Sequence, residues 1–109
     1  MSNFSRLDVV LVRYPFSDLT AGKIRPAVIV NPAHPSDDLV LAALTSRTTG
    51  LLPGEFALTE WKQAGLNVPT AAKRGIFTLH RKLVLRTVGQ LRPQDSKKLE
   101  EALREWLGL

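Results

Sequence analysis

The chain has 109 residues, 44% of them hydrophobic and 23% charged, with a formal net charge of +5 and no cysteine. That length suits one domain spanning residues 1–109 and leaves little room for a doubly wound nucleotide-binding fold. The composition argues against a disordered tail, a collagen-like repeat or a coiled coil, and the missing cysteines exclude disulfides, thiolate metal sites and a cysteine nucleophile.

The opening residues carry Arg6, Asp8 and Arg13 and lack the apolar run and cleavage site of a signal peptide. No apolar run approaches the roughly 20 residues of a membrane span. A cytoplasmic protein without membrane association is the expectation.

Leu7 to Tyr14 is rich in β-branched and aromatic residues and reads as a strand with at least one buried face. Tyr14 to Lys23 has the proline, serine, aspartate and glycine of a long loop. Pro26 to Val30 reads as a second strand, with proline at its first residue, where a missing N–H is tolerated. Asn31 to Asp38 breaks it, and Leu39 to Ser46 forms a third strand with a hydroxyl-rich exit through Thr48 and Thr49. Glu55 to Leu58 gives a shorter strand. Thr59 suits a helix N-cap and Gly65 a C′ residue, so Glu60 to Ala64 is expected to make one or two helical turns. Lys73 to His80 and Leu83 to Gly89 complete five or six strands. The connections are too short for crossover helices, so the pairing should be largely antiparallel, as in a barrel or sandwich. The tail is the one long helix: Leu99, Ala102, Leu103 and Trp106 follow helical spacing, Pro93 suits N1, and Gly108 stands just beyond the end.

Charge is unevenly distributed along the chain. Residues 61–92 hold seven basic side chains and no acid, whereas residues 1–60 and 93–109 each sum to −1. A basic region on a small domain is the footprint expected for a phosphate-bearing partner. Glycine-rich phosphate loops, a nucleophile elbow and clustered metal ligands are all missing, which disfavours metal-dependent chemistry. His34 in a loop and His80 at a strand end read as surface residues. Arg25 stands where a loop becomes a strand, and Pro26 after it holds its backbone extended, so its planar guanidinium is projected from a fixed base. Taken alone, such an arginine reads as a strand-edge residue in a surface salt bridge with Asp8 or Asp18.

Arg25 does not stand alone. Pro15-Phe16-Ser17-Asp18, Lys23-Ile24-Arg25-Pro26-Ala27, Leu44-Thr45-Ser46, Ala64-Gly65-Leu66, Pro69-Thr70 and Val88-Gly89-Gln90-Leu91 follow one another before the terminal helix. In that order they resemble the MazF/PemK family of toxin endoribonucleases, over roughly Leu7 to Leu107. The resemblance implies a mainly β fold with α, an SH3-like antiparallel β-barrel closed by the C-terminal amphipathic helix. It further implies a homodimer that cuts single-stranded RNA without metal or other cofactor and is neutralised by a cognate acidic antitoxin. The family's active arginine falls on Arg25 and its active threonine on Thr45. Lys23 matches the lysine of that motif, and Phe16 and Asp18 match a loop bordering the RNA groove. Ser46, Thr70, Lys73, Arg74 and His80 complete the expected RNA-binding set. The chain departs from the family where many members carry Ser-x-Val-Arg and then an acid. Here Thr70-Ala71-Ala72-Lys73-Arg74-Gly75 keeps the hydroxyl and the base but lacks the acid. The proton acceptor is thus left among His80, Asp18 and water. Two other readings stand beside this one: a non-catalytic module binding RNA or peptide, and a toxin of the same fold that inhibits a protein target such as a topoisomerase.

Overall fold

In the computed structural model, which describes residues 4–14 and 23–109, Leu7 holds a left-handed backbone with φ +78°. The first strand therefore begins one residue later than its hydropathy suggests, β1 running Asp8–Tyr14. The others are β2 Lys23–Ile29, β3 Asp38–Thr45, β4 Phe56–Ala57, β5 Ala71–His80 and β6 Val84–Gln90, followed by helix α1, Pro93–Leu107. They form one six-stranded sheet in the order β4-β5-β3-β2-β1-β6, every pair antiparallel, as the short connections require. Phe16 and Asp18 lie outside the described residues.

The central strands β1, β2 and β3 bury side chains on both faces, which accounts for their weak hydrophobic alternation. Val9, Val28, Ala42 and Leu44 join Leu99 of α1 in one cluster, and Val10, Val12, Ala27, Ile29 and Leu41 form another on the opposite face. β4 and β6 are the sheet edges and do not pair. The sheet is thus barrel-like without being closed by hydrogen bonds. Beside β6 the backbone of the turn after β4 packs directly on the strand: a Cβ added to Gly89 of β6 would stand 2.1 Å from the Ala64 carbonyl oxygen, and one added to Gly65 2.1 Å from that of Val88.

Residues 60–66 turn back through three backbone hydrogen bonds, from Ala64, Gly65 and Leu66 N–H to the Glu60, Lys62 and Trp61 carbonyls, each at 3.1 Å, with Gly65 at φ +93°. The cap does not come from Thr59 as expected. Asp95, in the first turn of α1 and fully buried, accepts the N–H of Thr59 at 2.8 Å and of Glu60 at 2.9 Å. One carboxylate thereby ties the helix to the turn. Asp95→Ala should lower unfolding stability by about 3 kcal/mol, because two N–H donors lose their acceptor in a dry site, and Asp95→Asn, which keeps one acceptor oxygen, by less. Urea unfolding checks this. Equal stability in all three proteins would contradict it.

Candidate active site

Proline cannot donate to a sheet ladder, and Pro26 shows where that matters. β2 begins three residues earlier than the sequence suggests, so Pro26 sits inside the strand, opposite Leu11 of β1. Its pairing with β3 starts only at Ala27, which faces Ala43. At Pro26 the strand therefore has a neighbour on one side only, the edge condition under which proline is tolerated. Beyond that point β2 and β3 part. Continued two residues, their register sets Arg25 opposite Thr45 across the gap, and a cleft of about 420 Å³ opens there, lined by Arg25, Pro26, Thr45, Ser46, Asn67 and Lys73 among others.

The far wall is irregular as well. Between the pairs Ala42–Ile76 and Leu44–Ala72, the single residue Ala43 on β3 spans Lys73, Arg74 and Gly75 on β5. Such a bulge breaks strict alternation and re-aims side chains. Lys73 and Arg74, though consecutive, are both exposed. Lys73 also lines a smaller cleft of about 220 Å³ that shares Thr45 and adds Arg47, Thr49, Leu52 and Glu55.

The Thr45 hydroxyl accepts the Arg47 N–H at 3.1 Å. With its oxygen held from that side, its own proton is available for donation into the cleft. Glu55 accepts the Leu52 N–H at 2.7 Å and the Arg74 N–H at 2.9 Å. The Arg74 hydrogen bond, then that of Leu52, holds its carboxyl below the ordinary 4.5, with Lys73 and Arg47 adding a smaller electrostatic pull. A carboxylate so lowered contributes its anchoring above its ordinary pKa and loses it only as pH falls through the lowered value.

The structure brings Arg25, Thr45, Ser46, Thr70 and Lys73 to one cleft. Thr70 is only 2% exposed, and its hydroxyl already donates to the Val68 carbonyl at 2.9 Å. Lys23 lies two residues before Arg25 on the same strand, exposed beside the cleft. His80 is not brought to it. Thr45 pairs with Ala71 and Asp38 with His80, so the imidazole stands at the other end of β5, roughly 30 Å along the strand at about 3.3 Å per residue. There its Nδ1 accepts the Lys82 N–H. The cations of residues 61–92 likewise form no single patch, for β5 carries the chain across the sheet before Arg81 and Lys82. Composition and motif reading missed Arg47, Glu55 and Asn67. The hydroxyl-rich exit after Thr45 was the one signal near Arg47.

A small curled antiparallel sheet closed by one terminal helix, with an arginine and a threonine facing each other at a splayed strand pair, defines the class. The family model described as PemK-like, MazF-like toxin of type II toxin-antitoxin system matches residues 5–107, and the chain belongs to that family. No curated protein sequence matches the chain. Among solved structures it is similar to an endoribonuclease in complex with its cognate antitoxin from a mycobacterial species, with a TM-score of 0.80, 22% identity and coverage of 98% of this chain and 97% of that one. It is similar to the Mycobacterium tuberculosis toxin MazF-mt6, with a TM-score of 0.76, 20% identity and coverage of 94% and 97%. It is also similar to MazE-MazF from Deinococcus radiodurans, with a TM-score of 0.76, 19% identity and 96% coverage of each chain.

Proposed function

We propose that this toxin is an endoribonuclease that cuts single-stranded RNA without metal, by attack of the RNA's own 2′-hydroxyl on the adjacent phosphorus. The observation that carries the reading is the presence of Arg25 and Thr45 in the lining of one cleft, opened where β2 and β3 part. Such a reaction needs no protein nucleophile. It needs the phosphate held in line with the 2′-oxygen and the charge on its non-bridging oxygens stabilised. In this reading the Arg25 guanidinium supplies a planar pair of donors to those oxygens, Thr45 donates its hydroxyl proton to one of them, and Lys73 adds a cation from the opposite wall. An exposed guanidinium serves as charge and donor rather than as a base. With His80 remote within the chain, water or Asp18 is left to accept the 2′-proton. The products would carry a 2′,3′-cyclic phosphate and a 5′-hydroxyl.

Metal independence is supported by the chemistry of the donors lining the cleft. They are cationic, hydroxyl and amide groups with no carboxylate among the described lining residues, and among the described residues no three of the metal-ligating kinds come together. The expected result is that purified protein cuts single-stranded RNA in excess chelator. Loss of cutting under chelation, restored by magnesium or zinc, would contradict the proposal, and binding without cutting would favour a non-catalytic module.

The complexes among the similar structures support an antitoxin partner here too. It would carry an acidic segment laid over Arg25 and Lys73, since acidic disordered segments compete for phosphate sites over a wide area. The active form would be a homodimer, because a body of 33 × 32 × 29 Å offers little groove length alone. Inhibition should weaken as salt rises, and sedimentation should show a dimer at assay concentration. Salt-insensitive inhibition would count against the acidic segment, and an active monomer against the dimer.

A further inference from the structure

The bulge on β5 exposes a backbone need as well as two cations. A bulged residue loses its ladder partner, and Arg74 is such a residue: its N–H is taken instead by Glu55 Oε2 at 2.9 Å. The other oxygen of the same carboxylate accepts the Leu52 N–H at 2.7 Å, and the Glu55 N–H returns to the Leu52 carbonyl at 2.9 Å, closing the turn. That turn is fastened in its turn to α1, where the Trp106 indole N–H donates to the Pro53 carbonyl at 3.1 Å. Gly54 has no room for a side chain beneath the indole, a Cβ there meeting Trp106 Nε1 at 2.3 Å. One carboxylate therefore joins the helix-anchored turn to the bulge that carries Lys73.

We propose that Glu55 is a positioning residue of the site: its carboxylate fixes the β5 bulge so that Lys73 stands between the two clefts and meets the phosphates of a bound RNA strand. The proposal rests on the reading of the protein as an RNA-cleaving enzyme. It also gives the chain an acid beside the groove, supplied from the turn before β4, where its own β5 segment lacks one.

A bland account of Glu55 makes the opposite prediction. An acid flanked by Lys73 and Arg47, and bonded to the Arg74 backbone, repels phosphate. If it only did that, removing the charge would tighten RNA binding. If it holds the bulge, removing it loosens Lys73 and weakens binding. Glu55→Gln keeps the volume and one acceptor oxygen but removes the charge, whereas Glu55→Asp keeps the charge and shortens the reach.

The test measures affinity for a single-stranded RNA and its cleavage, for wild type, both Glu55 variants, Lys73→Ala, and Glu55→Gln with Lys73→Ala. Amide hydrogen exchange over residues 50–56 and 70–76 is followed in the same proteins. The expected result is RNA binding weaker by about tenfold in both Glu55 variants, the size of one lost charge-assisted hydrogen bond. Little further loss should follow in the Lys73→Ala background, because residues acting through one another are not additive. Exchange should quicken in the two segments and not elsewhere. Tighter binding by Glu55→Gln, unchanged binding by Glu55→Asp, an equal loss in both Lys73 backgrounds, or unchanged exchange would each overturn the proposal. A wild type inert toward RNA would instead overturn the functional reading, a result separable from these because exchange reports the anchor itself.

Discussion

Arg25→Ala is expected to slow cleavage of single-stranded RNA by on the order of a hundredfold or more, the scale seen when one preorganised donor to a transition-state charge is lost. The size of the effect follows from backbone geometry. Pro26 restrains the residue before it to extended conformations, β1 pairs with Arg25 through Val12, and the absent β3 partner leaves the guanidinium facing the cleft. The charge is thus placed before RNA arrives. Arg25→Lys should restore little, since an ammonium cannot reproduce two parallel donors. Thr45→Ala should also impair cleavage, while Thr45→Ser, which keeps the hydroxyl, retains most of it. RNA binding should survive in all of these, because phosphate contacts spread over several cations supply most of the affinity. Cleavage and binding measured side by side decide the matter. Near-normal cutting by Arg25→Ala contradicts the mechanism, and equal losses of cutting and binding would make Arg25 a docking contact.

Gly89→Ala should cost roughly 3 kcal/mol or more of stability, at the upper end of overpacking changes, and lower the melting temperature by about 10 °C or more. The added carbon would lie 2.1 Å from the Ala64 carbonyl oxygen and 2.6 Å from its carbon. Both are backbone atoms, so no rotamer change relieves the clash. Strand β6 and the turn of residues 60–66, packed here backbone to backbone, would have to move apart. Because Gly89 is not among the positive-φ residues, the loss is steric and not conformational. Gly65→Ala adds strain at φ +93° to the same kind of clash and should fare no better. Thermal unfolding within a degree or two of wild type would show that β6 and the turn part freely.

Local signals carried well from sequence to structure. Pro93 opens α1 and Gly108 closes it at φ +71°, Gly65 takes the left-handed position assigned to it, and the short connections gave antiparallel pairing. Ordered motifs, each weak alone, singled out Arg25 and Thr45, and both line the one cleft. What was hidden depends on register between strands far apart in the chain. That Pro26 lies where β2 loses a neighbour needs the Ala27–Ala43 pairing. That Lys73 and Arg74 both face outward needs the bulge opposite Ala43, and Glu55 matters only because the bulge leaves an N–H for it to take. The basic run of residues 61–92 looked like one field. A strand of ten residues separates its parts, and the same strand carries His80 away from the cleft. Asp95 serves the Thr59–Glu60 backbone 35 or 36 positions away, a role with no local signature in the sequence.

Attack by the RNA's own 2′-hydroxyl is decided by the ends left on a single-stranded RNA that the purified protein cuts in excess chelator. The proposed chemistry leaves a 2′,3′-cyclic phosphate on the upstream fragment and a 5′-hydroxyl on the downstream one, with Arg25→Ala producing both far more slowly under the same conditions. A 5′-phosphate with a 3′-hydroxyl would mean that water or a protein group, and not the neighbouring 2′-hydroxyl, attacks phosphorus, and would contradict it.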